Sequence, residues 1–194
     1  MPDFFLNRPW PGVAVWCILY VSDFVLTVTC ARLYKRAVAD KIVFEGSFEL
    51  NPFFQRDIDS SSFVSPRFLL ALVLNAVLLV IIWALEYDSL PDFYAFVLGA
   101  FICLQLAVHV RHSRNLFLFR AMGDTEVVRG RIEYTRPLIL RMSSVEFLAF
   151  SGLYGLLFVF TRSWFVAGGT FACCLTAGKH WWLARKHVPI KLPS

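Results

Sequence analysis

Residues 68–85 contain no charged side chain, and Asn75 is the one amide among them. A helix needs about 20 mostly apolar residues to cross the roughly 30 Å of hydrocarbon in a bilayer. Backbone amides in that layer must be satisfied within the chain, which leaves helices or closed barrels as spanning structures. Four further stretches have similar character. The predicted spans are about 12–33, 66–85, 91–110, 142–161 and 163–183. The composition agrees, with 58% of the 194 residues hydrophobic and 17% charged. Soluble domains carry about 25% charged residues. The expected fold is a single all-α integral membrane domain over 1–194, a bundle of about five transmembrane helices.

Of the 19 Lys and Arg residues, all but Arg8 and Arg162 fall on one side of this arrangement. Cytoplasmic loops carry such an excess. The N-terminus is therefore expected outside and the C-terminus in the cytoplasm. The same rule accounts for the net charge of +5 without a nucleic-acid partner. The first apolar run is too long for a signal-peptide core and lacks an Ala-x-Ala cleavage site, so it reads as a retained span. Ser65 and Pro66 mark one helix start and Pro91 another. Trp164, Trp181 and Trp182 bracket the last span as interfacial aromatics do. In the first loop, phenylalanines alternate with charges over 41–67, which predicts one or two short amphipathic helices. Within the loop 113–141, residues 123–137 are polar around a central 127–134 stretch and read equally as a small hairpin or a helix. The five cysteines lie in apolar runs with no CxxC spacing, as small buried hydrophobes do.

Polar groups inside the spans carry the functional signal. An Asp at a helix centre costs roughly 3 kcal/mol to insert, whereas each Leu, Ile, Phe or Val returns only about 0.3–0.6. Asp23 is thus a functional candidate by default; hydrogen bonding to Ser22 or Thr27 is the structural alternative. Depth along the spans places Asn75 and Gln105 near Asp23, as one mid-membrane cluster or as interhelical glue. A second layer holds His109, Glu146 and Lys179. There Glu146 and Lys179 can pair. Alternatively, Ser143-x-x-Glu146 is a capping box and Lys179 snorkels to the headgroups. His109 and His112 share a helical face and form a weak zinc or iron candidate, but HExxH is absent. The expectation is no metal, and no cofactor is indicated. Ser151, Gly152, Gly155, Gly168 and Gly169 suit close helix packing.

Glu49, Asn51 and Pro52 follow the first span, with Asn51 and Pro52 placed to open a short helix. Asp23 and Thr27, followed by this Glu-x-Asn-Pro segment, resemble small prokaryotic multi-pass membrane proteins of unknown function. In those proteins an Asp-x-x-x-Thr first helix precedes Glu-x-Asn-Pro. The resemblance covers about residues 1–85 and departs in the charged insert 35–48. It implies a polytopic protein of the prokaryotic cytoplasmic membrane and no particular reaction.

Three functions fit these residues. The first is ligand or cation binding, or transport, through a polar cluster around Asp23. Five short helices make a poor conduit alone, so this reading expects a homo-oligomer or a membrane-protein partner within the lipid bilayer. The second is an accessory or assembly subunit of a larger membrane complex. The third is an intramembrane lipid-modifying enzyme, with arginine-rich loops holding phosphate headgroups and Glu49 or His109 as acid–base groups. No recognised nucleophile arrangement supports catalysis, so the first reading leads.

Overall fold

The structure, a computed structural model, describes residues 8–45, 54–60, 65–86, 89–124 and 130–186. Its elements are, in order, α1 (Pro9–Ala37), β1 (Ile42–Phe44), α2 (Gln55–Asp59), α3 (Pro66–Glu86), α4 (Pro91–Asp124), β2 (Ile132–Tyr134), α5 (Arg136–Thr161) and α6 (Trp164–Lys186). Helices α1, α3, α4 and α5 are long and apolar enough to cross a membrane. The architecture is therefore compatible with an all-α integral membrane protein. Helix α6 is long enough but less apolar than the other four, because Lys179, His180 and a run of Gly, Ala and Thr dilute its hydrophobic content. Of the roughly five expected spans, four are therefore helices long and apolar enough to cross, and the fifth corresponds to α6, packed along α4 and α5.

Helix ends follow local chemistry. Pro9 sits in the first turn of α1, and Lys35 and Arg36 occupy its last turn, where cations complement the helix dipole. Ser65 caps α3 as expected: its Oγ accepts the Phe68 amide at 3.1 Å and donates to Asp57 Oδ2 at 2.7 Å. Between α5 and α6 the chain reverses at Arg162, which adopts the left-handed conformation with φ 52°. Its amide reaches Phe158 O at 2.8 Å, closing the tight hairpin that the short spacing demands.

Two expectations about α4 and α5 change. The first is the end of the third span. The helix does not stop near Val110 but continues to Asp124, 34 residues in all. At 1.5 Å per residue it is about 50 Å long, more than the hydrocarbon thickness. The second is the capping box. Helix α5 starts at Arg136, so Ser143 and Glu146 lie well inside it, and Ser143 turns to other helices instead.

Direction follows from the contacts. Val13 and Trp16 of α1 meet Tyr94 and Leu98 at one end of α4, while Cys30 and Val38 meet Phe119 and Met122 at the other. Helices α1 and α4 are therefore parallel. Helix α3 runs opposite to α1, since Leu79 joins Trp16 and Phe68 joins Phe24. Helix α5 is antiparallel to α6, with Ser144 Oγ donating to Ala177 O at 2.8 Å and Ser151 Oγ to Thr170 O at 2.9 Å. Helix α6 approaches α4 through glycine: a Cβ on Gly168 would overlap the Phe96 carbonyl, and one on Gly99 the Phe165 carbonyl. Close backbone approach of this kind is how membrane helices gain packing energy.

Both connecting loops contribute to one cap. Strand β1 pairs with β2 in parallel, Ile42 opposite Ile132 and Phe44 opposite Tyr134. Phe44 stacks on Tyr134 and leans on Tyr34 of α1. Strand β1 was not expected, and β2 falls in the stretch read as a hairpin or a helix but pairs with the other loop instead. Helix α2 matches one predicted amphipathic helix and buries Ile58 beside Phe24, Val28 and Phe68.

Candidate functional site

Helices α1 and α6 both pack along α4 and leave a cavity of about 310 Å³ between them. Each helix contributes one face at the 3.6-residue period. Helix α1 presents Tyr20, Asp23, Phe24 and Thr27; α6 presents Thr176, Lys179, His180 and Leu183. The floor is α4, with Leu104, Gln105, Val108, Arg111 and His112. Phe68 closes the α1 side, stacking on Phe24 with ring centroids 4.2 Å apart and on Tyr20 at 5.1 Å.

The buried centre is a pair that sequence reasoning did not join. His112 Nδ1 lies 2.7 Å from Asp23 Oδ1, and both side chains are largely buried, 7% and 18% exposed. A carboxylate only accepts, so the hydrogen sits on Nδ1 of His112. Thr27 Oγ1, 3.0 Å from the same nitrogen, donates to the Asp23 carbonyl at 2.9 Å and fixes the α1 turn that presents the carboxylate. The contact is an ion pair when the imidazole is protonated and a hydrogen bond to a carboxylate otherwise.

His109 makes a second link to α1. Its Nδ1 is 2.7 Å from Gln105 O and its Nε2 is 2.7 Å from Ser22 Oγ. The carbonyl forces Nδ1 to donate. The Ser22 hydroxyl has a single hydrogen and two acceptors within reach, His109 Nε2 and Leu19 O at 3.0 Å. Protonation at Nε2 would only turn that hydroxyl onto Leu19 O.

Across the floor, Arg111 Nη1 donates to Ser143 Oγ at 2.6 Å, and its guanidinium carbon sits 5.2 Å from the Phe147 ring centroid. Ser143 Oγ is also 2.9 Å from His180 Nδ1. Guanidinium has no acceptor, so the serine oxygen accepts from Arg111 and keeps its hydrogen for His180. Arg111 and His112 also line a second cavity of about 220 Å³, under Phe44 and Tyr134 of the strand cap. Glu146 lines that second space and pairs with Arg114.

The expected residues therefore sort unevenly. Asp23, Gln105 and Lys179 share the larger cavity, and His109 sits beside it. Asn75 does not join them: its Nδ2 donates to Ala71 O of its own helix at 2.8 Å, and it lies outside the cavity lining. The Glu146–Lys179 pair is replaced by Arg114–Glu146. His109 and His112 turn to separate partners on α1, and no group of three metal-ligating side chains occurs among the described residues. Glu49, Asn51 and Pro52 lie outside the described residues. Arg111 and Ser143 are not among the expected site residues, and His112 was expected just beyond the second layer and as a weak metal ligand rather than as the partner of Asp23. The signal was available in the periodicity, since Leu104, Val108, Arg111 and His112 continue one face once α4 is allowed past Val110.

Comparison with protein-family models, with curated proteins and with solved structures finds no match to this chain.

Proposed function

We propose that this chain is a five-crossing membrane protein that binds or transports a small ligand in the cavity around Asp23 and His112. The orientation follows the basic-residue distribution, N-terminus outside and C-terminus cytoplasmic. The resemblance of the first 85 residues points to a prokaryotic cytoplasmic membrane. The alternating directions of α1, α3, α4, α5 and α6 support five crossings. The observation that carries the ligand reading is the cavity itself, about 310 Å³ lined by Asp23, Gln105, Arg111, His112 and Lys179. Ionisable groups within a membrane domain are costly and mark ligand or proton pathways. Pockets with a few convergent polar groups on apolar walls are the usual form of a small-molecule site.

The charges narrow the cation-binding expectation. Asp23 already holds His112, and the other charged groups on the cavity, Arg111 and Lys179, are cationic. Asp23 is thus committed to His112 rather than open to a second cation. Native mass spectrometry of gently extracted protein tests this. A bound small molecule that Asp23→Asn loses, with an unchanged melting temperature, supports the reading. Identical spectra of wild type and variant, with no adduct in either, oppose it.

A second reading rests on the same 2.7 Å contact. A carboxylate that orients an imidazole makes an acid–base pair, as an intramembrane enzyme acting on lipid would require. Under that reading His112→Gln abolishes turnover of added lipid while ligand retention persists.

A further inference from the structure

Among the described residues, the positive charges on the larger cavity have no carboxylate partners. Arg111 contacts a neutral hydroxyl and a phenyl ring. Lys179 has no hydrogen-bond or ion-pair partner among the described residues. Among the described residues the one acid on the cavity, Asp23, faces His112 instead. Two cations facing one cavity, Arg111 half-buried and Lys179 exposed, offer an anion two charge-assisted contacts. A guanidinium fork and an ammonium together match a phosphate group in both shape and charge.

Part of the lining is apolar. Phe24 and Phe68 form a stacked wall on one side, and Leu104 and Leu183 lie on the floor and the far side. The cavity holds a headgroup-sized anion with its ester stem, so a longer apolar chain must leave along the cleft between α1 and α6. Free phosphate would have no use for that wall.

Resting on the ligand-site reading above, we propose that the cavity binds a phosphate ester carried on an apolar chain, its anion held by Arg111 and Lys179. The source is a membrane lipid or lipid-like phosphate rather than inorganic phosphate.

The test titrates the detergent-purified full chain separately with phosphatidylglycerol, phosphatidylcholine and inorganic phosphate, reading adducts by native mass spectrometry. One phosphatidylglycerol should be retained selectively over phosphatidylcholine. Lys179→Ala, an exposed position that tolerates truncation, should weaken retention about tenfold, as loss of one charge-assisted hydrogen bond does. Arg111→Gln should do the same, and Arg120→Gln, an exposed cation outside both cavities, should change nothing. Equal retention by wild type and Lys179→Ala overturns the proposal, as does an equal loss in Arg120→Gln. Selective binding of inorganic phosphate also overturns it. If a different small molecule is held and lost in Asp23→Asn while phosphatidylglycerol binding is unselective, the ligand class falls and the cavity reading stands. If nothing binds in any arm, both fall.

Discussion

Asp23 and His112 are best understood by what each would leave behind. Removing one partner of a buried pair strands the other, at about 3–5 kcal/mol. His112→Ala leaves the Asp23 carboxylate with no imidazole donor at a side chain only 18% exposed. Asp23→Asn keeps a carbonyl oxygen that still accepts from Nδ1. Thermal unfolding in detergent should therefore show a much larger loss for His112→Ala than for Asp23→Asn. Equal losses would mean that the pair contributes nothing beyond packing. Asp23 stands out in the sequence because an Asp at the centre of a span is costly to insert. Its partner does not. Depth reckoned from span boundaries set Asp23 level with Gln105, whereas α1 and α4 settle with His112 opposite it, about two turns further on. That offset is fixed by long-range packing of Trp16 on Tyr94 and Leu98, which no local pattern encodes.

At the level of elements, the spans were readable because hydrocarbon length and backbone satisfaction leave little choice. The end of α4 was not, since the residues after Val110 turn polar while staying helical. The strands were hidden for a different reason. Three-residue segments carry almost no periodic signal, and β1 exists only by pairing with a segment from the other loop. Small residues in the last two spans were flagged, and the structure separates them. Gly168 is buried against α4, whereas Gly152 has nothing within 4 Å of an added Cβ. Gly168→Val should destabilise by about 1–3 kcal/mol through overpacking and free α6 from α4. Gly152→Ala should be neutral or gain up to about 1 kcal/mol from helix propensity. Melting curves of the two variants, with a wild-type control, check both. A tolerant Gly168→Val would show that α6 does not depend on this crossing.

For the whole molecule, the testable issue is direction. In a chain freed of its native cysteines, a cysteine at Arg120 should react with impermeant thiol reagents only after the cytoplasmic face is opened. A cysteine at Arg162 should react from outside in intact cells. The reverse pattern would invert the bundle, and labelling of both from one side would mean that the crossings between them are even in number. The parallel strand pair gives the assembly an order in time. Strand β1 follows the first helix out of the ribosome, but its partner emerges only after α3 and α4 have been made. The α1 end of the cap thus waits, unpaired, through most of synthesis. The cap can then close only late, once the intervening hairpin of α3 and α4 has been made.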